Sequence, residues 1–188
     1  SELRDQQLYL RGESILSSQD LKYLLGHHHL ENIQALIELV LFLKLDLDQA
    51  LNTIKDFHPL PHRQELLGEK NGVRFINDSI STIPESAIQA VNAIKNVDYL
   101  ILGGLDRGID YSLLAEFLGR QSFIKVYFLG KAGKSILNEL RENEVFMHFR
   151  FQWNESLYDL EDELLQLKSG TVLLSPACAS LDMFRDYV

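Results

Sequence analysis

The run Thr171-Val172-Leu173-Leu174 passes directly into Ser175-Pro176-Ala177-Cys178-Ala179-Ser180, and then into Leu181-Asp182-Met183-Phe184. Four apolar or β-branched residues stopped by small residues and a proline read as a short buried strand. The stretch from Leu181 reads as the opening of a last helix. The small residues in between have two possible uses. They let backbone N–H groups come close to a ligand, or they make a tight corner.

The same grammar recurs upstream. Tyr99–Leu102 is an apolar run ending in Gly103-Gly104, and Lys125–Leu129 is another ending in Gly130. Met147–Phe151 gives a further strand. Between these runs, apolar residues return at helical spacing over Ser112–Leu118, Lys134–Leu140 and Leu157–Leu167. Pro84-Glu85-Ser86 opens another helix, reaching Ile94, with proline suited to the first turn. Arg63–Leu67 and Val73–Ile76 flank Gly68-Glu69-Lys70-Asn71-Gly72, a hairpin signal. Strands alternating with helices predict an α/β fold, a Rossmann-like, mostly parallel sheet with helices on both faces.

Upstream of His58-Pro59-Leu60-Pro61-His62 the pattern differs. Gln7–Arg11 and Glu13–Leu16 suggest a small hairpin around Gly12. Leu30, Ile33, Leu36, Ile37, Val40, Leu41 and Leu43 recur at helical spacing, and Leu47–Asp56 reads as a second helix capped by Asp46. Two prolines in five residues mark a boundary, giving a small mainly helical segment at 1–57 and the α/β domain at 58–188.

Composition narrows the function. The 188 residues carry a net charge of −9, against a nucleic-acid partner, which needs a basic face. The longest apolar run, Ile33–Leu43, is broken by Gln34 and Glu38 and is too short to span a bilayer. The N-terminal residues show no signal-peptide pattern, and the single cysteine, Cys178, fits a reducing, cytoplasmic setting. Cys178 is expected to be packing, not a nucleophile.

In an open parallel sheet, ligands bind beyond the carboxyl ends of the strands. Those ends carry Asn77-Asp78-Ser79-Ile80-Ser81-Thr82, Gly103-Gly104-Leu105-Asp106-Arg107-Gly108, Gly130-Lys131-Ala132-Gly133-Lys134-Ser135, and the SPACAS run. Capping and turn formation alone would also enrich such loops in Gly, Ser and Asp. Two familiar motifs fail here. FLGKAGKS has Phe128 where a phosphate-binding P-loop needs its first glycine, and GGLDRG is not Gly-x-Gly-x-x-Gly. His27-His28-His29 cannot all face one metal, because neighbours on a helix diverge by about 100°.

Four segments carry a resemblance: PLPHR (Pro59–Arg63), FINDSISTIPESAIQA (Phe75–Ala90), LILGGLDRGIDYSLL (Leu100–Leu114) and LLSPACASLDMF (Leu173–Phe184). In order and spacing they resemble the Mur ligases, the ATP-dependent, amide-bond-forming ligases of peptidoglycan synthesis. GHHHLENIQAL (Gly26–Leu36) is similar to a helix start of the same family. The SPACASLD run points, within the family, to members that add D-glutamate to UDP-N-acetylmuramoyl-L-alanine through an acyl phosphate. The resemblance implies ATP and Mg2+ as cofactors, with the P-loop and the metal ligands in a central domain whose tail would be residues 1–57. It implies that the 188 residues alone are inactive.

Carried over residue by residue, the resemblance implies ATP contacts at Asn32, His62, Arg63 and Asp78. It implies D-glutamate contacts at Thr82, Arg107, Ser180, Leu181 and Tyr187. The chemistry is compatible: an arginine can hold a carboxylate bidentately, and a serine at a helix start offers donors to an anion. His28 is read as a helix-start contact. Three positions depart from the family pattern. Ile80 stands where many members have lysine, Ile83 where they have asparagine, and His29 where asparagine is common, so the cation contact expected at position 80 is lost. A non-catalytic Rossmann-like domain binding a nucleotide or small acid, and a folylpolyglutamate synthase-like ligase domain, are the alternative readings.

Overall fold

The computed structural model describes residues 1–24, 28–94, 96–121, 123–142 and 150–179. They form two compact units, Ser1–Gln64 and Glu65–Val188. The prolines suggest a boundary at His58; the contacts keep PLPHRQ with the first unit.

The first unit is an antiparallel sheet with two helices. Strands β1 (Glu2–Arg4), β2 (Gln7–Leu10) and β3 (Glu13–Ser17) pair in that order. Each connection is two residues with positive φ, Asp5-Gln6 and Arg11-Gly12, the geometry that matches strand twist in tight hairpins. The hairpin around Gly12 is as expected. β1 has no sequence signal, because three residues with one apolar side chain show no alternation. Helix α1 (His28–Phe42) turns Leu30, Ile33, Ile37 and Val40 inward, and the first three of these pack with Leu8, Leu16, Leu51 and Ile54. Leu36, Leu41 and Leu43, which share its periodicity, face outward with Leu39 and Phe42. Helix α2 (Leu47–Lys55) is capped as its sequence predicts: the Asp46 carboxylate accepts the Gln49 N–H at 2.9 Å.

The second unit is a six-stranded sheet, order β4-β5-β9-β6-β7-β8. β4 (Glu65–Lys70) and β5 (Val73–Asn77) are the expected hairpin, and β4 is the antiparallel edge. β6 (Tyr99–Gly103), β7 (Lys125–Leu129), β8 (Phe151–Asn154) and β9 (Gly170–Leu174) continue it in parallel. Thus the last strand inserts between β5 and β6. Its Val172 and Leu173 are buried, as a central strand covered on both faces requires.

Helices α3 (Pro84–Ala93), α4 (Ser112–Gly119) and α5 (Gly130–Glu142) pack side by side. A 3-10 turn at Tyr158–Leu160 and helix α6 (Glu161–Gln166) pack Leu160 and Leu164 against the opposite face, on Val73, Ile101, Tyr127 and Val172. Helices therefore cover both faces of a mostly parallel sheet. An apolar cavity of ≈ 340 Å³ remains beside α6, lined by Leu67, Phe75, Leu165 and Leu174 among others.

Four boundaries differ from the sequence expectation. The strand expected at Arg63–Leu67 is β4, Glu65–Lys70, so Gly68-Glu69-Lys70 lie in the strand and only Asn71-Gly72 turn. The strand expected at Met147–Phe151 is β8, Phe151–Asn154; residues 143–149 lie outside the described residues. The helix expected at Leu157–Leu167 is a 3-10 turn followed by a shorter helix. And α5 starts at Gly130, not Lys134, with no loop after β7. Among the described residues, no helix is long and apolar enough to cross a membrane.

Candidate functional site

The carboxyl edge of the second sheet is stitched together by backbone hydrogen bonds that centre on the loop after β9. The Asp78 N–H reaches Leu174 O at 2.8 Å, and the Ala177 N–H reaches Ser81 O at 3.0 Å. On the other side the Gly103 N–H donates to Pro176 O at 2.8 Å, and the Leu105 N–H to Ala179 O at 2.7 Å. The loops after β5 and β6 therefore flank Pro176–Ala179 at the point where strand order reverses, the usual ligand crevice of such sheets.

Side chains lock the same corner. Ser175 Oγ donates to Asp78 Oδ2 at 2.7 Å, and both residues are buried, at 0% and 2% exposure. A buried hydrogen bond to a carboxylate is among the stronger ones. Ala177 has φ +60°, so the corner bends through a left-handed residue. From Ser175 to Ala179, then, the small residues make a corner: the Ser175 N–H binds Ile101 O at 3.2 Å and the Ala177 N–H binds Ser81 O. Cys178 is buried in it, as packing.

The glycine that follows β6 fits the same account. At Gly104, φ is +150°, and a Cβ would lie 2.5 Å from Ala179 O and 3.0 Å from Cys178 Sγ. Gly104→Ala is expected to lower the unfolding free energy by about 1–3 kcal/mol, the usual cost of overpacking. Urea denaturation checks this; an unchanged midpoint would mean that the corner yields without cost.

The Arg107 loop is built by Asp106. Asp106 Oδ1 accepts the Gly108 N–H at 2.9 Å, an Asx turn with Arg107 at its centre, and Gly108 has φ +68°. The other carboxylate oxygen accepts from Ser135 Oγ on α5. Ala132, in the first turn of α5, donates its N–H to Gly104 O at 2.9 Å. Tyr111, 2% exposed, has a hydroxyl with no hydrogen-bond partner among the described residues. Burial raises its pKa, and Cys178 and Asp106 push in the same direction.

The expected site residues divide by unit. In the first, Asn32 is exposed on α1, and His62 and Arg63 are exposed in the PLPHR stretch, His62 with φ 66°. In the second, Asp78 is buried, whereas Thr82 and Arg107 are exposed on the loops that flank the β9 corner. Ser180, Leu181 and Tyr187 lie outside the described residues, as does the side chain of His28. Ile80 and Ile83 are both about half exposed, at 51% and 47%.

The P-loop resemblance has a structural answer as well. Because α5 begins at Gly130, FLGKAGKS is strand followed by helix, with no loop to wrap a phosphate. Lys134 Nζ sits 4.2 Å from the centroid of the Trp153 ring, whose Nε1 donates to Gly130 O at 3.1 Å. Among the described residues no group of three or more His, Cys, Asp or Glu side chains could hold a metal ion. The sequence places Asp106, Ser135 and Ser175 at the carboxyl edge but suggests no role for them, and it does not single out Tyr111. Of these only Asp106 carried a local signal, the Asp-x-Gly of an Asx turn.

Comparison with known proteins narrows the class. Similar solved structures include the UDP-N-acetylmuramate–alanine ligase of Thermotoga maritima, at TM-score 0.60 and 22% identity, covering 82% of this chain and 35% of that one. MurF of Acinetobacter baumannii gives TM-score 0.55 and 14% identity, covering 79% of this chain and 34% of that one. The fold is therefore a Mur-ligase fold. No protein-family model matches the chain.

Sequence relatives go further. The UDP-N-acetylmuramoylalanine–D-glutamate ligase of Natranaerobius thermophilus is 37% identical over 175 residues, 93% of this chain and 37% of its own length. The protein of the same name from Protochlamydia amoebophila is 38% identical over 165 residues, covering 86% of this chain and 36% of its own length. Over most of its length the chain is thus similar to these Mur ligases, and it spans a little over a third of their length.

Proposed function

We propose that the chain is part of a longer ATP-dependent ligase that joins D-glutamate to UDP-N-acetylmuramoyl-L-alanine in peptidoglycan synthesis. The observation that carries this reading is the sequence similarity: relatives 32–38% identical over 86–98% of the chain bear the name of that ligase. In the proposed reaction the γ-phosphoryl group of ATP passes to the carboxylate of UDP-N-acetylmuramoyl-L-alanine, releasing ADP. The amine of D-glutamate then attacks the acyl phosphate carbonyl, and phosphate leaves as the amide forms. Both acceptor and nucleophile carry negative charge, so positioning and charge stabilisation are the protein's main tasks.

In this reading residues 1–57 are the end of an ATPase domain. The outward Leu36, Leu39, Phe42 and Leu43 on and just after α1 support it, since contiguous exposed apolar side chains mark a surface made to be covered. Asn32, His62 and Arg63 are proposed as ATP contacts of the first unit. In the second, Asp78 is proposed to contact ATP, and Thr82 and Arg107 to bind D-glutamate together with Ser180, Leu181 and Tyr187. The described residues offer no magnesium site, and no step through the metal is assigned to them. The proposed setting is the cytoplasm, where these substrates are soluble.

Coupled phosphate release tests the reading. The full-length protein is expected to release phosphate only when UDP-N-acetylmuramoyl-L-alanine, ATP and D-glutamate are all present, and not with L-glutamate. The 188-residue chain alone, which contains no P-loop sequence to cradle the ATP phosphates, is expected to release none. Full-length turnover indifferent to the amino acid, or equal turnover by the 188 residues, would overturn it.

A further inference from the structure

We infer that Ser135 and Asp106 form a latch that positions Arg107 for the amino-acid carboxylate; this rests on the proposed D-glutamate role of Arg107. The two residues are 29 positions apart, on α5 and in the loop after β6. Ser135 is the sixth residue of α5. A serine in a helix usually bonds back to its own helix or points to water. Here its hydroxyl leaves the helix and donates to the Asp106 carboxylate instead.

The carboxylate is engaged on both oxygens, and each engagement restrains Arg107. Oδ1 closes the turn by accepting the Gly108 N–H at 2.9 Å, with Arg107 at its centre. The second oxygen ties that turn to α5. A further bond, Ala132 N–H to Gly104 O at 2.9 Å, fastens α5 to the same loop two residues upstream. Leu105 is held in turn by Ala179. The chain is therefore fixed at Gly104, Leu105, Asp106 and Gly108, while the Arg107 side chain projects into solvent. A long, exposed arginine gains most from a fixed base, because its rotamer freedom is the main cost of ordering it on a ligand. Ser135 acts through Arg107 and does not touch the substrate, so it is a positioning residue.

A double-mutant cycle in the full-length ligase tests the latch, reading the KM for D-glutamate and for ATP. Ser135→Ala raises helix propensity, so the fold should survive, and thermal melting of each variant confirms it. The expected result is a rise of about tenfold in the D-glutamate KM, the loss of one hydrogen bond to a charged group. The ATP KM should not change. Ser135→Thr keeps the hydroxyl and should restore the wild-type value. In an Arg107→Ala background, Ser135→Ala should add nothing, because the residue it positions is gone. If Arg107→Ala raises the D-glutamate KM but Ser135→Ala does not, or if the two effects multiply, the latch is wrong while the role of Arg107 stands. If Arg107→Ala leaves the D-glutamate KM unchanged, the assignment of Arg107 fails and the latch with it.

Discussion

Phe128→Ala is expected to lower the unfolding free energy of the second unit by about 3–5 kcal/mol, the range for truncating a buried phenylalanine. Phe128 is fully buried near the end of β7, and its ring meets Phe151 of β8 edge to face at 6.2 Å between centroids. The helix above it cannot settle into the space left behind. Gly133 lies so close that a Cβ there would come within 3.1 Å of Phe128 Cβ and 2.9 Å of its carbonyl carbon. The start of α5 is also pinned through Ala132 to Gly104. A site that cannot collapse keeps its cavity, and cavity volume sets where in the range the loss falls. A typical domain has about 5–15 kcal/mol in all, so this one change removes a large part of it. Urea titration of the wild type and the variant measures the difference. A loss under about 1 kcal/mol would mean that α5 moves in despite its ties, against the range for a buried phenylalanine.

The same contact explains what is legible in the sequence and what is not. β6, β7 and β9 are legible because strands buried on both faces are continuous apolar runs, which need no partner to be recognised. The hairpin of β4 and β5 is legible from its turn residues, and α2 from Asp46. β8 lies later than expected because it is an edge strand in which Phe151 and Trp153 are partly exposed, so the apolar signal is weak. The start of α5 is hidden because glycines at 130 and 133 read as loop. Gly133 is there for the approach of Phe128, a fact of packing that no local pattern carries. At the site, the gathering of the loops at one sheet edge follows from strand–helix alternation, but their order does not, because β9 inserts between β5 and β6. Nor do the pairs that shape those loops. Asp78 meets Ser175 across 97 positions and Asp106 meets Ser135 across 29, and such distances leave no trace in residue spacing. On α1 the periodicity is right and its meaning half right, since it marks two apolar faces and only one is buried against the first unit's own core.

On the proposed role of Arg107 in holding D-glutamate, Arg107→Ala in the full-length protein is expected to raise the KM for D-glutamate about 30- to 150-fold, equivalent to about 2–3 kcal/mol for a charge-assisted, bidentate pair. The base of the side chain is set by the Asx turn, and the guanidinium is exposed with no acidic partner among the described residues. Its loss should therefore leave the fold intact, since removing an exposed charge usually changes stability by less than about 0.5 kcal/mol. The effect should fall on one substrate. The ATP KM should stay within about twofold, because a contact made only to the amino acid is worth nothing to the nucleotide. Arg107→Lys should recover part of the loss and no more, since an ammonium keeps the charge but cannot match both carboxylate oxygens in one plane. Steady-state kinetics with each substrate varied in turn, alongside thermal melting, separates the possibilities. Equal rises in both KM values would point to a general distortion of the carboxyl edge. No rise in either would make Arg107 a solvated surface charge, and the carboxylate of D-glutamate would have to be held by other groups.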